Sequence, residues 1–481
     1  MSFREVIRSL GTITKFYGAL FVLPTLVALI YGEYNPAIVF VSVGIFAFLM
    51  GKILETVGPE LEEIHIREGF MIVALSWLVA ALLGSFPFYF THVMPNFYDA
   101  FFEAMSGITT TGATVVTDMD GIPRSILFWR GLIQWIGGMG IIVLSIAVLP
   151  ELTIVGRHLF RAEVPGVATE KIVPRIRNTA IILWSVYAFF SIGEVLLLKI
   201  AGMSIYDAIC HTFTTMATGG FSTKLQSIGY YNSPTIEFII CTFMFIAGTN
   251  FALHYHGIRG NFRAYLRDSE FRFYLAIIII SVSLVSLNLY LNHIYNPSTA
   301  FRYSLFQVMS ILTTTGYTTA DFNNWTDFSK MILLLLMFIG GCAGSTGGSI
   351  KNIRIFLLLK LIHREVRKLV HPSAVLPLRI GDDVISDEVI INVGAFFFLY
   401  MIIFIISTLF VASHGYDIVT SISAVAATQG NVGPGLGLVG PSFNYAFFSP
   451  QVKLLLATCM WIGRLELFTV ILLLFPSTWR A

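Results

Sequence analysis

Ten apolar runs divide this chain, and they constrain its fold more than any other feature. A bilayer-spanning helix needs about 20 predominantly apolar residues, and backbone polar groups in hydrocarbon must be satisfied within helices or closed barrels. Charged residues make up 12% of the chain and the mean hydropathy is +0.78, so we predict an all-α polytopic membrane protein. The runs lie near residues 11–31, 36–49, 70–90, 126–149, 179–200, 235–254, 273–292, 330–360, 389–412 and 451–475.

The first two runs are predicted to form a retained transmembrane hairpin. They follow Arg4 and Arg8, and no small-residue cleavage signature separates them. A secretory signal peptide would carry such a site. Four isolated cysteines without metal-ligand spacing indicate neither a disulfide framework nor a zinc site.

Four short polar segments, each containing glycine, lie between later apolar runs. Each follows a short apolar stretch and precedes a long one. Irregular backbone at membrane depth is tolerated where it lines a water-filled path, so we predict four re-entrant loops around one pseudo-fourfold pore. The segments are TTTGAT at 109–114, TGGFS at 218–222, TTTGYT at 313–318 and TQGNVGPG at 428–435.

The short stretches before the loops also repeat. Asp99 and Asp207 each lie 13 residues before a loop glycine, Asp417 follows a tyrosine in the same way, and Thr299 occupies the third copy. We expect these side chains to cap the N-termini of four pore helices. The predicted units are an N-terminal hairpin (1–68) and four pore repeats (69–160, 161–268, 269–372 and 373–481).

Charge predicts the orientation. Segments 150–178, 257–272 and 351–388 contain 5, 4 and 7 Lys and Arg residues, whereas the loop-bearing segments contain few. The positive-inside rule therefore predicts that the basic segments and both termini are cytoplasmic and that the loops enter from outside.

The loop chemistry favours a monovalent cation. None of the four loops contains Asp or Glu, so coordination would come from neutral oxygen dipoles, which suit an easily dehydrated ion such as K⁺. Glycine allows positive φ, and the C-terminal ends of the pore helices would direct negative dipoles toward the ion. No basic tract indicates a nucleic-acid partner.

These loops, the ten-run pattern and the ending Trp461-Ile462-Gly463-Arg464-Leu465-Glu466 together resemble the Trk/Ktr/HKT superfamily, specifically bacterial TrkH-type potassium uptake proteins. The resemblance implies one filter glycine in each loop, and Gly112, where plant sodium-carrying members have serine, favours potassium. In the fourth loop the 13-residue spacing selects Gly430, whereas the family's Asn-Val-Gly pattern selects Gly433, which we prefer. The implied potassium site comprises Thr110, Thr111, Gly112, Thr218, Gly219, Gly220, Thr314, Thr315, Gly316, Asn431, Val432 and Gly433.

The run at 330–360 is interrupted by a segment rich in glycine and serine, 340–349. The phosphate-loop pattern GxxxxGK[ST] is absent, and small-residue helix packing is one explanation. The resemblance instead implies an intramembrane gating loop formed by Gly344, Ser345, Thr346, Gly347 and Gly348.

Arg464 is predicted to lie in the middle of the last spanning helix, where an arginine is costly and faces a cavity or a partner. Pairing with Glu466 is not expected, because residues two apart on a helix point in different directions. The resemblance implies an electrostatic barrier below the filter; a structural tie to loop carbonyls is the alternative.

The resemblance further implies potassium uptake across the bacterial inner membrane by a homodimer in membrane lipid, gated by a cytosolic TrkA-type nucleotide-binding ring. The chain has no Rossmann-type GxGxxG between a predicted strand and a helix, so nucleotide control would come from that partner. Potassium is the transported ion and no organic cofactor is expected. The alternative is a Na⁺- or H⁺-coupled potassium symporter, whereas the clustered polar residues that a membrane enzyme needs are not evident.

Overall fold

The computed structural model describes residues 3–58, 66–147, 172–374, 376–381 and 383–475, and in these ranges the chain is mainly helical. The helices are α1 (Phe3–Leu20), α2 (Val22–Ile30), α3 (Tyr34–Glu55), α4 (Ile66–Phe90), α5 (Phe97–Ile108), α6 (Arg124–Ala147), α7 (Ile172–Ile200), α8 (Ile205–Met216), α9 (Pro234–Gly248), α10 (Phe251–Ile258), α11 (Arg263–Arg267), α12 (Ser269–Leu291), α13 (Pro297–Leu312), α14 (Asp327–Ile339), α15 (Asn352–Val370), α16 (Asp387–Ser413), α17 (Ile418–Gln429), α18 (Pro450–Arg464) and α19 (Phe468–Ile471). An antiparallel hairpin of β1 (Leu378–Ile380) and β2 (Asp383–Ile385) precedes α16. Most of the predicted basic segment 150–178 lies outside the described residues.

Within the described ranges, six helices are long and apolar enough to cross a membrane, and two further pairs are sharply bent. The predicted runs at 235–254 and 451–475 are not straight helices: α9 and α10 meet at 106°, and α18 turns by 113° into the segment Phe468–Leu474. The run at 330–360 divides into α14 and α15. The first two breaks are short and lie within runs that are apolar on average, which is why hydropathy alone could not locate them. The third coincides with the glycine- and serine-rich segment 340–349 noted in the sequence.

Four short helices, α5, α8, α13 and α17, precede the four glycine loops. We call the side on which they begin the loop face and the opposite side the basic face. Their N-terminal caps are only partly those predicted. Asp417 caps α17, but Asp99, Asp207 and Thr299 lie inside the first turns of their helices. The caps of those three helices are the polar residues three positions earlier: Asn96, Ser204 and Asn296.

The N-terminal hairpin is a tightly packed pair of helices, α1 and α3. A Cβ atom added to Gly11 would lie 2.6 Å from the carbonyl oxygen of Gly51, and one added to Gly18 would lie 2.9 Å from that of Gly44. Small residues thus let the two backbones touch, as is common between membrane helices. Glu33, just before α3, accepts hydrogen bonds from the backbone N–H groups at the start of α6 (2.7 and 2.9 Å), which joins the hairpin to the repeats.

Gly51→Ala should destabilise the hairpin by about 1–3 kcal/mol, because the new methyl group would overlap fixed backbone atoms of α1. Gly394→Ala is the matched control, since this glycine of α16 has open space around it. Thermal aggregation of the detergent-purified variants measures the difference. Equal midpoints for the two variants would contradict the close backbone contact.

Candidate functional site

The four glycine loops share one backbone conformation despite their different sequences. Two residues before each key glycine the chain is left-handed, with φ of 52° at Thr110 and Thr218, 60° at Thr314 and 54° at Asn431. The next N–H group donates a 2.8 Å hydrogen bond to a carbonyl near the end of the pore helix in every loop. The key glycines then also take positive φ; the four are Gly112 (83°), Gly220 (72°), Gly316 (79°) and Gly433 (98°).

These four glycines close a ring. A Cβ atom on Gly112 would lie less than 3.0 Å from the carbonyl oxygen of Gly219 in the second loop. The same relation joins the second loop to the third, the third to the fourth, and the fourth back to the first. Each loop therefore packs its backbone against the glycine of its neighbour, and any side chain at these positions would separate the loops. The remaining pairs are Gly220 with Thr315, Gly316 with Val432 and Gly433 with Thr111.

In the fourth loop, Gly433 and not Gly430 occupies the ring. Gly430 is the C-cap of α17 and has a right-handed conformation. The spacing from Asp417 had selected Gly430 as the counterpart of Gly112 and Gly220. That spacing misleads because Asp417 is itself a cap, whereas Asp99 lies three residues beyond its cap. Measured from the caps, the ring glycines of the first, second and fourth loops all follow after 16 residues.

A cavity of about 160 Å³ lies on the loop face of the ring and is lined by all four ring glycines. Its walls continue outward through Thr114, Ser222 and Thr318, and Arg130 and Lys224 also line it. The ring thus forms the floor of a polar depression.

Polar side chains of the first three pore helices brace the loops from behind. Glu103 accepts a hydrogen bond from the Val115 N–H (2.9 Å), and His211 bonds to the Ser222 hydroxyl through Nε2 (2.9 Å). In the third helix the amide of Gln307 donates to Thr319 (3.3 Å). All three lie nine residues before their ring glycines. The equivalent residue in α17 is Ala424, which has no polar group.

A buried ion pair that was not predicted from the sequence joins the first two loops. Arg130 of α6 lies 2.7 Å from the Glu103 carboxylate, and the two side chains are 2% and 0% exposed. The arginine also donates to the carbonyl oxygen of Ser222 (3.2 Å), and its guanidinium lies 4.1 Å from the centre of the Phe221 ring. The sequence offered one signal for this pair: an arginine within an apolar run and a glutamate within the preceding pore helix.

A second brace from α6 was also missed. The Gln134 amide nitrogen donates to the carbonyl oxygen of Gly219 (2.7 Å), and its oxygen accepts from the Phe221 N–H (3.2 Å). The second loop is therefore held from α6 on both sides of Gly220.

The glycine-rich segment between α14 and α15, residues 340–351, lies across the basic side of the ring. Its Gly348 N–H donates to the Thr314 hydroxyl (2.7 Å), and its Thr346 hydroxyl donates to the carbonyl oxygen of Met216 at the end of α8 (2.9 Å). Cβ atoms on Gly347 and Gly348 would lie 3.2 and 2.6 Å from carbonyl oxygens at the ends of α13 and α17. The segment, which we call the cross-loop, therefore covers the inner ends of three pore helices.

The position of Arg464 corrects the prediction that it lies within a continuous helix. It is the last residue of α18, where the chain bends through two left-handed residues, Glu466 and Leu467. Its side chain is 2% exposed and donates to the carbonyl oxygen of Thr346 in the cross-loop (2.7 Å). As expected, Glu466 does not serve as its partner; Glu466 pairs with Arg354 of α15.

A sequence model of the family TrkH, described as "Cation transport protein", matches residues 37–479. The chain belongs to the TrkH family. It is 42% identical to the Trk system potassium uptake protein TrkH of Salmonella typhimurium over 100% of both chains, and 36% identical to TrkG of Escherichia coli K12 over 99% of both. The crystal structure of the potassium transporter TrkH from Vibrio parahaemolyticus superposes with a TM-score of 0.91 at 39% identity, covering 100% of both chains.

The family match confirms the predicted family, and the structural similarity confirms the polytopic helical membrane fold. It also confirms that the chain is a transport protein and not an enzyme, since the similar proteins are potassium transporters.

The coupling between the buried charges of Arg130 and Glu103 can be tested with single and double variants. Glu103→Gln should destabilise the protein by about 3–5 kcal/mol, because it leaves the Arg130 charge buried without its partner. Glu103→Gln combined with Arg130→Gln should recover part of that loss. Apparent melting temperatures of the purified variants measure both effects.

The control for this test is Glu237→Gln, which removes one partner of the Arg302–Glu237 pair at the loop face. Arg302 is 29% exposed, so water can solvate it and the change should cost about 1 kcal/mol or less. A double variant no more stable than Glu103→Gln would contradict direct coupling of the two charges.

Proposed function

We propose that the chain takes up potassium across the bacterial inner membrane, with the ring of four loops as its selectivity filter. The closed ring carries this proposal, because it brings neutral backbone and hydroxyl oxygens from four repeats around one axis. Such oxygens replace the hydration shell of an easily dehydrated monovalent cation. The names of the similar proteins, potassium uptake proteins and a potassium transporter, support the choice of ion.

The residues proposed to coordinate the ion or hold the filter are those predicted from the four loops. The Gly219 carbonyl is engaged by Gln134, so we expect Thr218 and Gly220 to provide ligands in the second loop while Gly219 makes the ring contact. Hydroxyls brace the filter: Thr111 bonds to Thr109 (2.8 Å) and accepts from the Asn431 amide (2.9 Å). The proposed filter set is Thr110, Thr111, Gly112, Thr218, Gly219, Gly220, Thr314, Thr315, Gly316, Asn431, Val432 and Gly433.

The proposed gate is the cross-loop together with Arg464. The contacts of the cross-loop with the ends of three pore helices support a steric block directly below the filter. Arg464 adds a buried positive charge at the same depth, which repels a cation in a low-dielectric surrounding. The gate residues are Gly344, Ser345, Thr346, Gly347, Gly348 and Arg464.

We further propose that the protein works as a homodimer in membrane lipid and is regulated by a cytosolic TrkA-type nucleotide-binding ring. Both termini and the basic face would be cytoplasmic under the positive-inside rule. Basic side chains of α11 and α15 on this face, including Arg263, Arg267 and Lys368, offer positive charge to such a partner.

A Na⁺- or H⁺-coupled symporter is the alternative function. One observation favours it: Glu194 of α7 is completely buried at membrane depth, beside Thr215 of the second pore helix. Buried membrane carboxylates are common in proton relays. Uptake of ⁸⁶Rb⁺ into vesicles, with and without a Na⁺ or pH gradient, distinguishes the two. Stimulation by a gradient supports the symporter, and absence of uptake under every condition contradicts both.

Gly112→Ser should lower the ratio of Rb⁺ to Na⁺ flux by about tenfold, equivalent to about 1.4 kcal/mol of differential binding. The added Cβ would overlap the Gly219 carbonyl and disturb the spacing of the first two loops. Gly121→Ser is the matched control, because nothing lies within 4 Å of a Cβ at that position. Unchanged selectivity in Gly112→Ser would contradict the filter assignment.

Arg464→Ala should raise cation flux severalfold by removing the charge below the filter. Arg464→Gln separates the two roles, because glutamine can still donate to the Thr346 carbonyl but carries no charge. If the barrier is electrostatic, the glutamine variant conducts like the alanine variant. Flux unchanged from wild type in both variants would exclude Arg464 from the barrier.

A further inference from the structure

Glu270, in the first turn of α12, bonds to both the cross-loop and the helix that follows it. Its side chain is 3% exposed. One carboxylate oxygen, Oε1, accepts hydrogen bonds from the Ala343 N–H in the cross-loop (2.7 Å) and from the Ile353 N–H in the first turn of α15 (3.1 Å). A single carboxylate oxygen thus joins the cross-loop to the start of α15.

Glu270 supplies a cap that α15 does not provide for itself. The N-cap position, Lys351, is left-handed with φ of 77° and makes no side-chain cap. The first N–H groups of a helix need partners from outside the helix. Glu270, on a different helix, supplies one such partner by accepting from the Ile353 N–H.

The base of the cross-loop is closed at the same place. The Asn352 N–H donates to the Gly341 carbonyl (3.0 Å), and the Asn352 amide contacts the backbone carbonyl of Glu270 (3.4 Å). Glu270 therefore contacts the cross-loop where its two ends meet.

The other contacts that hold this part of the cross-loop are between neutral backbone groups. The Cys342 N–H donates to the Gly248 carbonyl (2.9 Å), and the Gly344 carbonyl accepts from the Phe251 N–H (3.1 Å). The bond from Ala343 to Glu270 differs from these two because its acceptor is a side chain of another helix. A substitution can therefore remove this anchor and leave the backbone bonds in place.

We infer that Glu270 is a positioning residue that holds the cross-loop over the inner ends of the pore helices. Displacement of the cross-loop requires loss of the Ala343 bond, whereas the Ile353 bond can persist and keep α15 in place. In such a displacement the cross-loop leaves Glu270 at Ala343, while α15 stays attached to Glu270 at Ile353. This inference rests on the proposed function only for its effect on flux; the anchoring itself is a statement about structure.

The native cysteine beside Ala343 provides a direct probe of anchoring. Cys342 is 1% exposed, and Cys210, Cys241 and Cys459 can be replaced by serine to leave it as the only thiol. In this background of the full-length protein, we compare the rate at which a membrane-permeant maleimide labels Cys342 in wild type, Glu270→Gln and Glu270→Ala. ⁸⁶Rb⁺ flux is measured on the same preparations.

Glu270→Ala should label about tenfold faster or more, since it removes the acceptor of the Ala343 bond. Glu270→Gln keeps one acceptor oxygen but replaces the carboxyl group by an amide, and its labelling rate should lie between those of wild type and Glu270→Ala. Asp268→Ala is the control. Asp268, two residues before Glu270, caps α12 by accepting from the Phe271 N–H (2.6 Å) and makes no hydrogen bond to the cross-loop in the described ranges. It should label at the wild-type rate.

Labelling at the wild-type rate in both Glu270 variants overturns the proposal, and so does equally fast labelling in Asp268→Ala. If Glu270→Ala fails to fold, the Glu270→Gln rate decides alone: faster labelling supports the anchor and an unchanged rate overturns it. Faster labelling with unchanged flux supports the anchor and counts against the cross-loop as gate, so failure of the inference and failure of the proposed function are distinguishable.

Discussion

The contact on which this structure depends is the packing of each ring glycine against a carbonyl of the next loop. Four such contacts close on themselves, so no loop can shift without displacing its neighbours. The contact also requires that all four pore helices end at one depth. The third pore helix, α13, has 16 residues where the other three have 12, yet its ring glycine lies in register. Its extra turn is accommodated at the loop face, away from the ring.

The ring is supported differently in each repeat. A carboxylate, an imidazole and an amide brace the first three loops, whereas the fourth is held through Asn431, whose amide donates to Thr111 and to the Met460 carbonyl (both 2.9 Å). Three buried polar side chains share one role. Arg130, Glu270 and Arg464 each bond to irregular backbone, which cannot satisfy its own polar groups as a helix does.

Sequence predicted the membrane fold, the four loops and the ring glycines, because these features repeat and their residue types are required by local geometry. It could not locate the helix caps, since Asn96 and Asp99 are both good capping residues and only the path of the chain selects between them. The breaks before Asn250 and after Arg464 were hidden by continuous apolar composition. The Arg130–Glu103 pair and the Glu270 contacts join residues far apart in sequence, and no local pattern specifies such partners.

Helix α18 contacts the ring and the cross-loop at successive turns. Its Met460 carbonyl accepts from Asn431 in the fourth loop, and four residues later Arg464 bonds to Thr346. One helix therefore links the ring and the cross-loop, and a rotation of α18 about its own axis would move both. If the ring is the filter and the cross-loop the gate, as proposed, ion selectivity and opening of the pathway are mechanically coupled, and a substitution elsewhere on α18 can alter both.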